Sequence, residues 1–135
     1  MLAHSTFSIT QWDETPFASG PADSKGSKVS IQFALTGQLE GTAWVEYLMH
    51  YHHLNEVAPL ESHADYVGLI RFEGTLEGKK GSFTLSDQGT FRQGAAESKL
   101  EIIKDSGLEE LQGLRGAGHY HSTHGESRFT LDYDL

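Results

Sequence analysis

A carboxylate and a guanidinium on neighbouring apolar stretches are the first residues whose types could do chemistry. Glu46 follows Trp44 in one stretch, and Arg71 lies in the next one along the chain. If both side chains face one cavity, they could anchor the polar end of a ligand, and a buried Glu46 with a raised pKa could act as a base. An outward-facing or buried structural ion pair is the competing interpretation, and the alternation does not fix which face points inward.

Aromatic residues are the second candidate set. They could line a cavity for a flat apolar ligand, with tyrosine hydroxyl groups as polar contacts, or they could fill a packed core. The set consists of Trp44, Tyr47, Tyr66, Phe72, Phe83, Phe91, Tyr120, Phe129 and Tyr133. Combined with the charged pair, it gives these candidate ligand-binding residues: Trp44, Glu46, Tyr47, Tyr66, Arg71, Phe83 and Tyr120.

Histidines are the third set, and they indicate chemistry less clearly. Two imidazoles at i and i+2 on a strand can chelate Zn²⁺ or Ni²⁺. The histidines form two groups, with His119, His121 and His124 in one and His50, His52, His53 and His63 in the other. No carboxylate at ligand spacing accompanies them, and the sequence also lacks a phosphate-binding loop and a nucleophile motif. We therefore predict no native metal site and no cofactor.

Strands must position these residues, and alternating hydrophobicity predicts strands along most of the chain. The predicted strands are residues 6–12, 28–36, 42–51, 66–76, 81–88, 94–104, 114–121 and 127–133. Eight strands is the number at which a sheet closes around side chains or one small ligand. We predict an all-β fold, a closed eight-stranded antiparallel meander barrel that is lipocalin-like in outline and forms a single domain over residues 1–135.

Two of the predicted strands carry an unusual distribution of side chains. The stretch 42–51 is apolar on both faces, which indicates either a lined cavity inside or a subunit contact outside. In the stretch 81–88, Phe83, Leu85 and Asp87 share one side.

Glycine-containing turns separate the strands. A Gly-x-Leu-Glu-Gly sequence occurs at 37–41 and again at 74–78, and a looser version follows at 89–94. Repeated turns of this kind are typical of a meander of hairpins. The loops predicted at 13–28 and 52–64 are long enough to cover a barrel mouth, and Pro59 excludes a regular helix in the second. One helical turn, capped by Ser106, is predicted at 106–111.

Composition excludes several classes of partner and site. Ten Lys and Arg against 19 Asp and Glu give a formal net charge of -9, which opposes binding to nucleic-acid phosphates and to anionic membranes. The absence of Cys excludes disulfides and thiolate chemistry. Because there is no signal-peptide pattern and no apolar stretch long enough to span a bilayer, we predict a cytoplasmic protein.

Eight short motifs, in this order, give the chain a family resemblance. They are Trp12-Asp13-Glu14, Leu39-Glu40-Gly41, Glu46-Tyr47-Leu48-Met49, Tyr66-Val67-Gly68-Leu69, Gly74-Thr75-Leu76, Gly81-Ser82-Phe83, Gly113-Leu114-Arg115-Gly116 and Thr130-Leu131-Asp132-Tyr133. Over nearly its whole length the chain resembles a family of small bacterial proteins known as a domain of unknown function, the thirty-two-twenty-four family. The His-rich segment 50–53 departs from that family's usual pattern.

The resemblance implies a fold more than an activity. It implies the eight-stranded barrel shared with allene oxide cyclase and, more remotely, with dirigent proteins, and it implies association, because barrels of the allene oxide cyclase type form oligomers. The family has no established activity, and the functional residues of allene oxide cyclase have no matching motif in this chain.

Three hypotheses for function follow. The first is a barrel that binds a small apolar or amphipathic molecule in its cavity, with a polar anchor and a loop over the mouth. The second is a cofactor-free isomerase or cyclase in which a buried carboxylate or a tyrosine moves a proton. The third is an oligomeric assembly module without catalysis, in which an apolar outer face on residues 42–51 contacts a second copy. The sequence leaves open whether the protein is an enzyme.

Overall fold

A computed structural model describes residues 1–17, 26–55 and 57–135, and strands account for most of them. The strands are β1 (Leu2–Pro16), β2 (Gly26–Gly37), β3 (Leu39–His53), β4 (His63–Leu76), β5 (Lys79–Arg92), β6 (Ala95–Ile102), β7 (Leu108–Glu109), β8 (Arg115–Ser122) and β9 (Ser127–Asp134). One turn of 3₁₀ helix, Pro59–Glu61, lies between β3 and β4. Within these ranges no helix is long and apolar enough to cross a membrane.

The eight long strands close into a barrel. Each pairs antiparallel with the next long strand along the chain, and β9 pairs with β1 from Leu2↔Asp132 to Thr6↔Arg128. The two-residue β7 is an addition at one end of β5. Closure gives every long strand two neighbours, which protects backbone groups that an open sheet would expose at its edges. The predicted eight-stranded antiparallel meander barrel is confirmed.

The alternation of side chains decides which residues fill the barrel. In β3, Val45, Tyr47 and Met49 are buried inside, whereas Trp44 and Leu48 are exposed on the outer face. The end of the barrel that carries the β2–β3 and β4–β5 turns, here called the lower end, has a packed apolar core. Its fully buried members include Leu39, Ile70, Phe72, Leu76, Leu85, Leu111 and Leu114.

The two Gly-x-Leu-Glu-Gly copies join strands as predicted, but they do so differently. In the first copy the turn comes first, and the remaining residues begin β3. In the second copy the first residues end β4, and the turn follows at Glu77 and Gly78. The copies therefore pair with each other, with Gly41 opposite Gly74. A Cβ atom on Gly41 would lie 2.2 Å from the carbonyl oxygen of Glu73, so this close approach of two strands requires glycine.

Both predicted mouth loops are shorter than expected. Asp13–Pro16 belong to β1 and residues 26–28 to β2, because this hairpin continues its ladder to Pro16↔Ser27. Phe17 donates its backbone N–H to the Gly26 carbonyl oxygen at 3.0 Å, and residues 18–25 of that predicted loop lie outside the described residues. In the second loop, β3 extends to His53 and β4 starts at His63, which leaves a short connection with the 3₁₀ turn.

The predicted helical turn at 106–111 is wrong. Leu108 and Glu109 form β7 instead and pair with Ser82 and Gly81 of β5. The physical reason is that β6 pairs with β5 only as far as Leu85, which leaves the start of β5 without a partner on that side. The Ser106 hydroxyl accepts from the backbone N–H of Thr84 at 3.1 Å instead of capping a helix.

Candidate functional site

The upper half of the barrel contains a cavity of about 490 Å³. Its walls are apolar and include Phe7, Ile31, Phe33 and Met49, which project inward from β1, β2 and β3. The mouth is bordered by the β3–β4 connection and the ends of neighbouring strands, through Leu54, Asn55, Pro59, Ser62, Gly94, Thr123 and His124. A cavity of this size and lining accommodates a small apolar molecule.

Three tyrosines bring their hydroxyl groups together at the inner end of the cavity. The Tyr47 and Tyr120 oxygens are 2.7 Å apart, and the Tyr66 and Tyr120 oxygens are 3.3 Å apart. Tyr66 also hydrogen-bonds to the Ser98 hydroxyl at 2.7 Å. Tyr47 donates to the carboxylate of Asp87, which lies behind the tyrosines. We call these five residues the tyrosine cluster, and it is the polar inner end of a cavity whose walls are mainly apolar.

Asp87 is the ionisable centre of the tyrosine cluster. It is only 3% exposed, and its Oδ1 has no hydrogen-bond partner among the described residues. Burial raises the pKa of Asp87 to about 6, although the hydroxyl groups of Tyr47 and Ser98 act in the opposite direction. A buried carboxylate with one oxygen unpaired is costly in its ionised form, so Asp87 titrates much closer to neutrality than an ordinary aspartate.

The tyrosines themselves stay protonated over the physiological range. Burial raises the pKa of Tyr47 and of Tyr120 well above the ordinary value, and proximity to the other cluster members adds to both shifts. Burial likewise raises the pKa of Tyr66 to about 12, against the lowering effect of its hydrogen bonds to Ser98 and Tyr120. Asp87 is therefore the group of the cluster that changes charge near neutral pH.

Two glycines make room for the cluster. A Cβ atom on Gly68 would lie 2.7 Å from the Tyr47 ring, and one on Gly89 would lie 2.5 Å from the Tyr66 hydroxyl oxygen. Both positions would also place that atom against a backbone oxygen of the neighbouring strand. The absence of side chains at these two strand positions lets the tyrosine rings lie close to the backbone of the barrel wall.

A second, smaller polar group lies at the mouth. Glu14 accepts hydrogen bonds from the Ser27 hydroxyl at 2.7 Å and from the Tyr51 hydroxyl at 2.6 Å. Burial, followed by the effect of Glu14, raises the pKa of Tyr51. This group ties β1, β2 and β3 together at the rim and places a carboxylate at the entrance of the cavity.

The candidate residues predicted from the sequence divide into three locations. Tyr47, Tyr66 and Tyr120 line the cavity. Phe83 lies in the packed lower core, with its ring 5.2 Å from that of Phe72, and does not line this cavity. The remaining three, Trp44, Glu46 and Arg71, are on the outer face.

The interpretation of Glu46 and Arg71 as a cavity anchor is wrong. Glu46 shares the outward parity of Trp44 and accepts from the Ser30 hydroxyl at 2.6 Å on the surface. Arg71 pairs directly with Trp44 across β3 and β4, so it faces outward too. The buried carboxylate that the enzyme hypothesis requires is Asp87, which was not among the candidates.

A signal for Asp87 is present in the sequence. Asp87 shares the side of Phe83 and Leu85 in its strand, and Ser98 shares the side of Leu100 in the next, so both are polar residues at core positions. A polar residue at a core position is informative because burying it is costly. The sequence does not show that Tyr47, two strands away from Asp87, reaches it across the barrel.

One group could hold a metal ion. His52, His63 and Asp65 each place a ligand atom within 4.8 Å of the others, and His52 Nε2 is 2.9 Å from an Asp65 oxygen. A guanidinium nitrogen of Arg92 lies 3.4 Å from His63 Nε2, where its positive charge opposes a cation. The group is on the outside of β3 and β4, apart from the tyrosine cluster.

Comparison with known proteins supplies the family. The model of a family described as a protein of unknown function, DUF3224, matches residues 3–133. The chain belongs to the DUF3224 family. This membership confirms the family resemblance carried by the eight motifs. A search of curated proteins found no match.

A solved DUF3224 structure has the same fold. It is a protein of unknown function from Shewanella oneidensis MR-1, with 23% sequence identity and a TM-score of 0.76, covering 100% of this chain and 96% of that one. At this identity the likeness concerns the barrel alone. DUF3224 membership thus accounts for the barrel and assigns no chemistry to the tyrosine cluster.

Proposed function

We propose that this DUF3224 protein binds a small, mainly apolar molecule in its upper cavity, with one polar group of that molecule against the tyrosine cluster. The observation that carries the proposal is the combination of a cavity of about 490 Å³ with a single group of buried hydroxyls at its inner end. A packed barrel would fill this space with side chains, as the lower half does. An apolar cavity with a few convergent polar groups is the usual form of a ligand site.

The charges around the cavity support a neutral or weakly basic ligand. The chain has a formal net charge of -9, and the carboxylates of Asp87 and Glu14 lie at the two ends of the site. A negatively charged ligand, a nucleic acid or an anionic membrane surface would be repelled by these charges. We place this binding in the cytoplasm, as the sequence predicts.

Binding of N-phenyl-naphthylamine tests the proposal. This neutral probe is apolar apart from one N–H group and becomes fluorescent when it leaves water. We expect saturable binding of one probe per chain in the micromolar range, because burying its rings removes apolar surface from water. A linear, non-saturating signal, or a stoichiometry well above one, would mean that the probe only coats the surface, and the proposal would fail.

A specific observation also favours the isomerase or cyclase alternative. This hypothesis requires a buried carboxylate at the inner end of the cavity, and Asp87 is one. Asp87 does not itself line the cavity, so it would act as a positioning residue through Tyr47, whose hydroxyl does. With any compound that the protein converts, Asp87→Asn would then lower kcat more than it weakens substrate binding, and would change the pH profile of kcat.

The assembly reading is supported by an exposed apolar surface on β3 and β4. We call Trp44, Leu48, Val67 and Leu69 the outer patch, and their side chains are 46%, 54%, 49% and 47% exposed. Glu46 and Arg71 lie within the same surface. A second copy related by a two-fold axis would bury the apolar groups and set Arg71 of one chain near Glu46 of the other. We propose a homodimer through this surface.

Leu69→Glu tests the dimer. The change places a second carboxylate opposite Glu46 in the centre of the outer patch, and we expect a shift from dimer to monomer in light scattering at micromolar concentration. The matched control is Leu2→Glu, an exposed leucine on the outer face of β1, which we expect to leave the dimer intact. A wild-type protein that is monomeric under these conditions would disprove the dimer.

A further inference from the structure

The direction of the hydrogen bonds in the tyrosine cluster determines what the cavity can bind. An ionised carboxylate can only accept, so Tyr47 must donate its proton to Asp87. A hydroxyl group has one proton, and Tyr47 must therefore accept in its 2.7 Å contact with Tyr120. Tyr120 donates to Tyr47 and has no proton left for the cavity. When Asp87 is ionised, Tyr120 can only accept from a ligand.

Protonation of Asp87 removes this constraint. A neutral carboxyl group can donate to the Tyr47 oxygen, which frees the Tyr47 proton for Tyr120 and the Tyr120 proton for the cavity. The same chain of atoms then presents a donor where it had presented an acceptor. Tyr66 follows the same direction: the Ser98 hydroxyl hydrogen-bonds to the Asp87 carboxylate, which can only accept when ionised. Tyr66 therefore donates to Ser98 in their 2.7 Å contact and has no proton left for the cavity either.

We infer that Asp87 sets the ligand class of the cavity: when it is ionised the site selects a ligand with a hydroxyl or N–H donor, and a carbonyl ligand enters only with the uptake of one proton by Asp87. This inference rests on the proposed function, since it concerns the polar end of the same site. The proton taken up from solvent resides on Asp87, and each hydroxyl group passes one proton to the next oxygen.

Asp87 is the group whose titration would produce this effect. The titratable side chains that face it are Tyr47 from β3, Tyr66 from β4 and Tyr120 from β8, and all three have raised pKa values that keep them neutral. Ser98 from β6 does not titrate. Glu97 on β6 is exposed, and its negative charge raises the pKa of Tyr66 further. Among the residues that the structure describes, no cationic side chain affects the pKa of Asp87.

Menthol and menthone provide a matched test, because they differ in a hydroxyl against a carbonyl on the same ring. Each is titrated against bound N-phenyl-naphthylamine between about pH 5 and about pH 8. We expect menthone to weaken roughly tenfold per pH unit once Asp87 is ionised, since its binding takes up a proton. Menthol can both donate and accept, so its affinity should change less than about threefold over the same range.

The Asp87→Asn variant supplies the control, because an amide offers both a donor and an acceptor without titrating. In this variant the menthone affinity should lose its dependence on pH. If menthone and menthol show the same pH dependence in the wild type, or if the menthone dependence persists in Asp87→Asn, the inference is wrong. If neither compound displaces the probe and the probe itself does not bind with saturation, the proposed function fails instead.

Discussion

Replacing Asp87 with Asn should change the pH dependence of stability by about 3 kcal/mol. The pKa of Asp87 is raised from 3.8 to about 6 in the folded protein, and each pKa unit corresponds to about 1.4 kcal/mol. Between these two values the folded state binds more protons than the unfolded state, so this group's contribution to wild-type stability falls as pH rises. Asn does not titrate, so the variant does not lose this stability as pH rises. At pH 4 the unfolded Asp87 is already more than half ionised, so we expect the free energy of unfolding of the variant minus that of the wild type to increase by about 2.5 kcal/mol of this total from about pH 4 to about pH 7.5.

Urea unfolding at both pH values measures this difference directly. The comparison of the two proteins at each pH cancels the contributions of all groups that the two proteins share. Asp105→Asn is the matched control, because it makes the same chemical change at an exposed residue, and an equal effect in both variants would show that burial is not its cause. A constant difference for Asp87→Asn would show that Asp87 is not held as a costly buried carboxylate.

Filling the cavity should abolish most ligand binding without a comparable loss of stability. Ala96 lines the cavity from β6, and Ala96→Trp would put an indole ring into the space that a ligand occupies. We expect N-phenyl-naphthylamine to bind about thirtyfold more weakly, which corresponds to losing about 2 kcal/mol from the burial of one of its rings. The measurement is the same fluorescence titration, supported by thermal unfolding to confirm that the variant is folded.

The control for this variant is the same substitution on the other side of the barrel wall. Ala34 alternates with the buried Phe33 and Leu35 in β2 and so faces outward. Ala34→Trp should leave probe binding within about twofold of the wild type. Equal losses in both variants would indicate that binding responds to a general disturbance of the sheet, and an unchanged affinity in Ala96→Trp would place the probe outside the cavity.

The barrel could be predicted from the sequence because alternation and turn residues are local signals. In β2, apolar and polar residues alternate from Val29 to Thr36, and one face is buried as that pattern requires. In β3 the same reasoning could not choose a face. The outer patch exposes Trp44 and Leu48, so both sides of the strand are apolar, and the alternation does not determine whether Glu46 points inward or outward.

The site depends on contacts that the sequence does not encode locally. Tyr47 and Asp87 lie on β3 and β5, with β4 between them, and they meet because the closed barrel curves their side chains toward one point. The glycines at 68 and 89 contribute by leaving space under two of the rings. The segment 106–111 shows the same limit. Its residues favour a helical turn, but Leu108 and Glu109 pair with the start of β5, which has no other partner on that side, and form β7.

A crystal structure of the protein with N-phenyl-naphthylamine tests the central claim most directly. We predict one probe molecule in the upper cavity, with its rings between Phe7, Phe33 and Met49 and its nitrogen within hydrogen-bonding distance of the Tyr120 oxygen. Density for the probe only on the outer patch, or a cavity that holds nothing but water at a saturating probe concentration, would contradict the proposal that this barrel is a small-molecule binding site.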